Sequence, residues 1–206
     1  MSLAQRDYEA ESNLVRALAS VKFTRLKSLK PTCFRSIDST QEYVSNALKS
    51  DREGDFAVAR IQTAGKGREG RLWVSDDGGV WMSITLRPTS ANLLGDLAIN
   101  VSESVAETLK EYGVKDCAVK PPNDVYCMGR KIGGVLVDSV ILGSKCVAYV
   151  GIGVNVNNDV SSNPFIAGIA TSLKQVLHEE VSLTDFIVRL LKNVDRNYDA
   201  LIRSTQ

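Results

Sequence analysis

The chain has 206 residues, 44% hydrophobic and 24% charged, with a formal net charge of +1. That length supports one domain with a full core, and the balance is ordinary for a soluble globular chain. A net charge this small excludes a general nucleic-acid or membrane-binding surface, so any basic site must be local.

The N-terminal MSLAQRDYEAES is polar and acidic, unlike a signal or transit peptide. No apolar run reaches bilayer length, so a cytoplasmic protein is expected. Leu3, Leu14, Val15 and Leu18 lie at roughly helical spacing over residues 3–20. TCFRSI (32–37) predicts a short strand, and Asp38, Ser39 and Thr40 supply N-cap residues for a helix over 41–50. DFAVARIQ (55–62) predicts a mostly buried strand. A glycine-rich loop follows, then a strand over 80–88 that ends at Pro88. Leu93, Leu94, Leu97, Ala98, Val101, Val105 and Leu109 form the stripe of a long amphipathic helix stopped by Gly113. Residues 117–120, 124–127, 131–141 and 145–156 predict four strands with short turns. Met128-Gly129 and Leu142-Gly143-Ser144 are the hairpin candidates. Phe186, Ile187, Leu190, Leu191, Val194, Tyr198 and Leu201 form one helical stripe from about 182 to 204. No repeat, low-complexity segment or linker interrupts the chain. The pattern is one α/β domain with a mainly antiparallel sheet, and helices at both ends and in the middle.

Cys33, Cys117, Cys127 and Cys146 form no C-x-x-C, and the single histidine, His178, lies far from them. That spacing does not fit a zinc site, and all four are expected as free structural thiols. His178 sits in LKQVLHEE, at a predicted helix end, where solvation is a simpler role than catalysis.

The densest cluster of bases is QTAGKGREGRLW (62–73). It contains a literal G-x-G-x-x-G, but a dinucleotide site requires a helix after the glycines, and here a strand pattern follows. The Walker loop spelling is absent. Gly65, Gly67 and Gly70 free the backbone to present N–H groups, and Lys66, Arg68 and Arg71 place three positive charges beside them. The residues alone leave two readings open, an anion site and a solvated turn. If the cluster is an anion site, the loop is expected to be mobile when empty.

The loop has companions. GKGREGRLW resembles the G-R-G-R-x-G-R-x-W signature of biotin protein ligases. KPPNDVYCMGRKIGGVLVDS (120–139) resembles that family's K-W-P-N-D followed by K-[IL]-[AG]-G-[IL]-L. GIGVNVNN (151–158) and SIDSTQ (36–41) resemble two further family segments. Four motifs occur in the family order between residues 36 and 158. The resemblance implies the class II aminoacyl-tRNA synthetase-like fold of biotin and lipoate ligase catalytic domains, a mixed, largely antiparallel sheet flanked by helices.

It also implies a two-step reaction. Biotin attacks the α-phosphate of ATP to give biotinyl-5′-AMP, and a lysine of a biotin carboxyl carrier domain of a biotin-dependent carboxylase then takes the biotin. Such chemistry needs no protein nucleophile, but it does need cations and N–H donors around a phosphate. Arg68 and Lys131 are the implied catalytic residues, with Lys131 holding the biotin carboxylate. Ser39, Thr40, Gln41, Gln62, Lys66, Gly67, Arg68, Lys131, Gly133 and Gly134 are implied on the biotin side. Gly65, Arg68, Arg71, Trp73, Asn123 and Asn155 are implied on the nucleotide side. N-capping competes with ligand binding for Ser39 and Thr40, a strand-end role for Gln62, and turn stabilisation for Asn123 and Asn155. Trp73 is expected to anchor the far end of the loop, and Asp124 to partner a metal or the acceptor lysine. Mg²⁺ is expected through the ATP phosphates, with no protein ligand set implied.

Lys66 stands where the family has arginine, keeping charge but losing a planar two-point grip. Pro121 replaces the tryptophan of K-W-P-N-D. About thirty residues precede the first motif, so no N-terminal DNA-binding domain, and hence no nucleic-acid partner, is expected. A small C-terminal β domain is likewise not expected, and a homodimer stays open. The rival readings are a lipoate or octanoate transferase, and a module that binds biotin or its adenylate without transfer.

Overall fold

The computed structural model describes residues 4–47, 52–143 and 145–204. A short strand β1 (Gln5–Arg6) leads into helix α1 (Tyr8–Ala19), capped by the Asp7 carboxylate, which accepts from the Ala10 N–H. Strand β2 (Lys30–Ile37) is followed by a single turn α2 (Thr40–Glu42), continued as a π-type turn over Tyr43–Ala47. Strands β3 (Asp55–Gln62) and β4 (Val80–Leu86) flank the glycine-rich loop. Helix α3 (Leu94–Glu111) precedes β5 (Cys117–Lys120), β6 (Asp124–Cys127), β7 (Arg130–Leu142) and β8 (Lys145–Val154). The short α4 (Leu173–Leu177) and the long α5 (Leu183–Arg203) follow.

The strands form one sheet in the order β1-β2-β3-β4-β8-β7-β6-β5. The β2–β3 pair is parallel, and every other neighbouring pair among the described residues is antiparallel. A parallel pair needs a crossover, and the segment carrying α2 supplies it. Met128 and Gly129 turn the β6–β7 hairpin with φ of 50° and 73°, the left-handed pair that a tight two-residue turn demands.

Helices α1, α3 and α5 pack on one face, and their apolar stripes meet Met82, Ile84, Leu86, Val150, Ile152 and Val154 in the main core. The other face carries a smaller cluster around Phe34, Val44, Ala57 and Tyr149. Cover there is thin, and the cleft described below opens on that face.

Several expectations change. Val15 is 48% exposed, so the α1 stripe is Leu14 and Leu18, while Leu3 lies outside the described residues. The helix expected over 41–50 is one α turn and one π-type turn, and residues 48–50 lie outside the described residues. So does Ser144 of the second hairpin. Cys117 and Cys127 are not free thiols but form a disulfide. Antiparallel pairing of β5 with β6 sets them directly opposite, with Cα atoms 4.3 Å apart. A search for C-x-x-C cannot find a pair that only a hairpin register brings together. Cys33 and Cys146 do remain free and buried. Burial, with Glu11 and Asp7 nearby, pushes the Cys33 thiol up to about 12, so it stays protonated at neutral pH. His178 caps α4 in the left-handed conformation and is exposed, as a helix-end residue should be.

Candidate active site

A cleft of about 260 Å³ lies between the glycine-rich loop, α2 and the central strands. Its deep end is polar. Ser39, Thr40 and Gln41 are buried there, at the start of α2. Ser39 caps that turn by accepting from the Glu42 N–H, so the capping role and the place on the cleft wall coexist. Thr40 donates both its N–H and its hydroxyl to Gln62 Oε1, at 2.8 and 3.0 Å. Its proton is thereby committed, so Ser83 Oγ, 2.9 Å away, is the donor to Thr40. Gln62 Nε2 in turn donates to Ser75 Oγ. Gln41 Nε2 donates to Asp138 Oδ2 and to the Tyr149 carbonyl. Both partners are pure acceptors, which fixes the orientation of the Gln41 amide.

The floor is β8. Val150, Ile152 and Val154 point into the main core, so the strand period turns Gly151 and Gly153 to the cleft. A side chain would not fit at either glycine. A Cβ at Gly151 would stand 2.8 Å from Gln41 Oε1, and one at Gly153 would stand 2.7 Å from the Trp73 ring. Trp73 therefore does more than anchor the loop, since its ring lies on the cleft floor.

The cationic end is built from three segments. Lys131 Nζ is 2.7 Å from Asp124 Oδ1. It faces the cleft because of a bulge: Val125 pairs with Gly133 but Tyr126 pairs with Lys131, leaving Ile132 extra. Ile132 and Gly133 both turn to the helical side as a result, and Lys131 and Gly134 both face the cleft. Arg68 donates to Asn123 Oδ1 at 3.2 Å, and the Asn123 side-chain amide is oriented by donating to the Val135 carbonyl. Arg71 reaches Glu69 at 2.7 Å, and Lys66 reaches Glu42 at 2.6 Å. Mutual repulsion of the three loop bases is thus relieved by nearby carboxylates, one of them inside the loop. Glu69 and Glu42, which no expectation from the sequence included, supply that relief.

Ser39, Thr40, Gln41, Gln62, Lys66, Gly67, Arg68, Arg71, Trp73, Asn123, Asp124, Lys131 and Gly134 all line one cleft. Gly65, Gly133 and Asn155 do not. Gly65 is packed against the Trp73 carbonyl and Ser75. Gly133 faces Val105 of α3 and the Gly153 carbonyl, displaced from the cleft by the bulge. Asn155 is buried in the turn after β8, where Oδ1 accepts from Asn158 and its carbonyl accepts from the Leu173 N–H. Gly151, Gly153 and Ser83 are cleft residues that the sequence argument did not single out. For the two glycines the signal was available, as a strict alternation with buried apolar residues.

The arrangement suits a ligand with a hydrogen-bonding head, an apolar middle and an anionic end. Among the described residues, no helix is long and apolar enough to cross a membrane. Residues 33–157, more than half of the chain, match the biotin/lipoate A/B protein ligase family. The bifunctional ligase/repressor BirA of Bacillus subtilis is 32% identical over 79% of this chain and 51% of its own length. Biotin–protein ligase 2 of Arabidopsis thaliana is 31% identical over 75% of this chain and 48% of its own. The chain thus spans about half the length of these curated relatives. A biotin protein ligase from Aquifex aeolicus, solved in complex with biotin and ATP, superposes with a TM-score of 0.74 at 31% identity, covering 84% of this chain and 72% of that one. The chain belongs to the biotin/lipoate A/B protein ligase family, and its fold is that of the family's biotin protein ligase catalytic domains.

Proposed function

We propose that this chain is an ATP-dependent biotin protein ligase that modifies a lysine of a biotin carboxyl carrier domain. The observation that carries the reading is the polarity of one cleft: bonded uncharged groups at the deep end, Lys131, Arg68 and Arg71 at the other. Ser39, Thr40, Gln41 and Gln62 would meet the ureido head, whose buried N–H and C=O groups each need a partner. Gly151, Gly153 and Trp73 would bound the apolar body. Lys131 would hold the carboxylate, and Arg68, Arg71 and Asn123 the phosphates.

In the first step a biotin carboxylate oxygen bonds to the α-phosphorus of ATP, and the bond to the β-phosphate bridging oxygen breaks, releasing pyrophosphate. In the second step the neutral carrier amine bonds to the acyl carbon, AMP leaves with the anhydride electron pair, and the nitrogen gives up one proton to solvent. The protein contributes placement and positive charge at both stages, and no covalent enzyme intermediate is required. Among the described residues, no three His, Cys, Asp or Glu side chains gather as a metal site, and Asp124 is engaged by Lys131. Mg²⁺ would come with the ATP phosphates as their counter-ion, an arrangement that needs few protein ligands.

The test is incubation of the pure chain with ATP, Mg²⁺, labelled biotin and a carrier domain. Label on the carrier lysine is expected. Labelled adenylate retained without transfer would replace the proposal with a binding module. Transfer of lipoate and not biotin would replace it with a lipoate-type transferase.

A further inference from the structure

We infer that Glu42 is a positioning residue whose ion pair with Lys66 latches the glycine-rich loop to the turn carrying Ser39, Thr40 and Gln41. The catalytic consequence of this latch rests on the adenylate-forming reading above.

The loop is internally closed. Lys66 bridges to Leu72, the Gly67 N–H donates to the Arg71 carbonyl, and the Trp73 N–H donates to the Gly65 carbonyl. Three bonds alone hold so short a hairpin weakly, so both its closure and its tilt over the cleft depend on a few outside contacts. Two of these are polar and lie on opposite sides, Arg68 to Asn123 at 3.2 Å and Lys66 to Glu42 at 2.6 Å. Glu42 is a firm post. Its N–H is bonded to Ser39, the neighbouring Thr40 is tied to Gln62, and Val44 in the next turn is fully buried. The residues before Glu42 are the buried polar wall of the cleft, so the pair joins the loop to that wall directly.

The pair also decides what Lys66 does. Lys66 pairs with a carboxylate outside the loop, so turning it toward a phosphate would open the latch, whereas Arg68 and Arg71 pair with Glu69 inside the loop and can turn to a phosphate with the latch closed. A lysine at this position then closes the loop, and the two-point grip of an arginine is not needed there.

The test compares Glu42→Gln, Lys66→Met and the reversed pair Glu42→Lys with Lys66→Glu in the full chain. Both pair members are about half exposed, with side-chain exposures of 45% and 47%, so the effect is modest. Exposed pairs change populations by about two- to five-fold. In the ligand-free protein, the Gly67, Arg71 and Trp73 amides should exchange about two- to five-fold faster in each single variant, and the reversed pair should recover most of the protection. Unchanged protection, or a reversed pair no better than the worse single variant, overturns the latch. With ligand, each single variant should release biotinyl-adenylate about two- to five-fold faster and raise KM for biotin more than it lowers kcat, with recovery in the reversed pair. Slower release from Glu42→Gln would mean that Lys66, once freed, grips the phosphate, and would overturn the inference. Absence of adenylate from the unsubstituted chain would sink the functional reading, and amide exchange would still decide the latch.

Discussion

The Lys131 ammonium lies 2.7 Å from Asp124 Oδ1 and 5.1 Å from the centre of the Trp73 ring. Its charge is thus held inside the cleft in the absence of ligand. A carboxylate entering there would compete with Asp124 for the same ammonium. Replacing the charge without much volume, as in Lys131→Met, should lower the rate of pyrophosphate release by about 10²–10³-fold, the usual cost of one donor to a developing oxyanion. Asp124→Asn should change the same rate by less than about ten-fold, because it removes only the competitor. A Lys131→Met enzyme within ten-fold of the original would take Lys131 out of the chemistry.

Gly153→Ala should displace the Trp73 ring. The added Cβ would stand 2.7 Å from two ring atoms, closer than real packing allows, and a rigid indole cannot bend away. Overpacking of this kind costs about 1–3 kcal/mol. The ring is part of the cleft floor, so biotin affinity should fall by about five- to 150-fold, since that same cost weighs on the bound geometry. Tryptophan emission should shift with it, and titration followed by fluorescence reads both. Gly168→Ala is the control, because nothing lies within 4 Å of its Cβ position. Equal affinities in the two variants would contradict the packed-floor description.

Much of this cleft was legible in the sequence, for reasons that differ by residue. Ser39, Thr40 and Gln62 were placed on it through the family resemblance, while their own residue types showed only N-caps and a strand end, and the strand pattern after the loop ruled out the dinucleotide reading. The bulge at Ile132 was not visible, because a strand pattern assumes strict alternation, so Gly133 was paired with Gly134 when the two face opposite ways. Asn155 sits in a cleft-family motif yet serves the turn after β8. The ion pairs of Lys66 and Arg71 depend on which carboxylates approach in three dimensions, which no local spacing specifies.

Asp195→Ala should destabilise the fold more than any change in the cleft. Asp195 interrupts the apolar stripe of α5 and is 4% exposed, a position where an acid is costly unless bonded. Its carboxylate accepts from the N–H groups of Thr24, Arg25 and Leu26, at 2.6, 2.8 and 2.7 Å. Removing it leaves three donors without that acceptor, at a cost of about 3–5 kcal/mol. Asp195→Asn keeps one acceptor oxygen and should cost about half as much. Urea denaturation measures both. A loss below about 1 kcal/mol for the alanine variant would mean that water replaces the carboxylate without penalty.

The Cys117–Cys127 bridge predicts a stability that depends on redox state. It closes a loop with a sequence separation of 10. In the chain-entropy view, a loop of that size contributes about 2–3 kcal/mol by restricting the unfolded chain. Asn123 and Asp124 lie between the two cysteines, so the bridge also holds the hairpin that forms one wall of the cleft. The oxidised protein should therefore unfold at a higher denaturant concentration than the same protein in excess dithiothreitol. Cys117→Ala with Cys127→Ala should behave alike in both conditions. Thiol titration of the denatured, air-oxidised chain should find the two cysteines Cys33 and Cys146 reactive. Four reactive thiols there would remove the bridge, and the redox-dependent difference in stability would vanish with it.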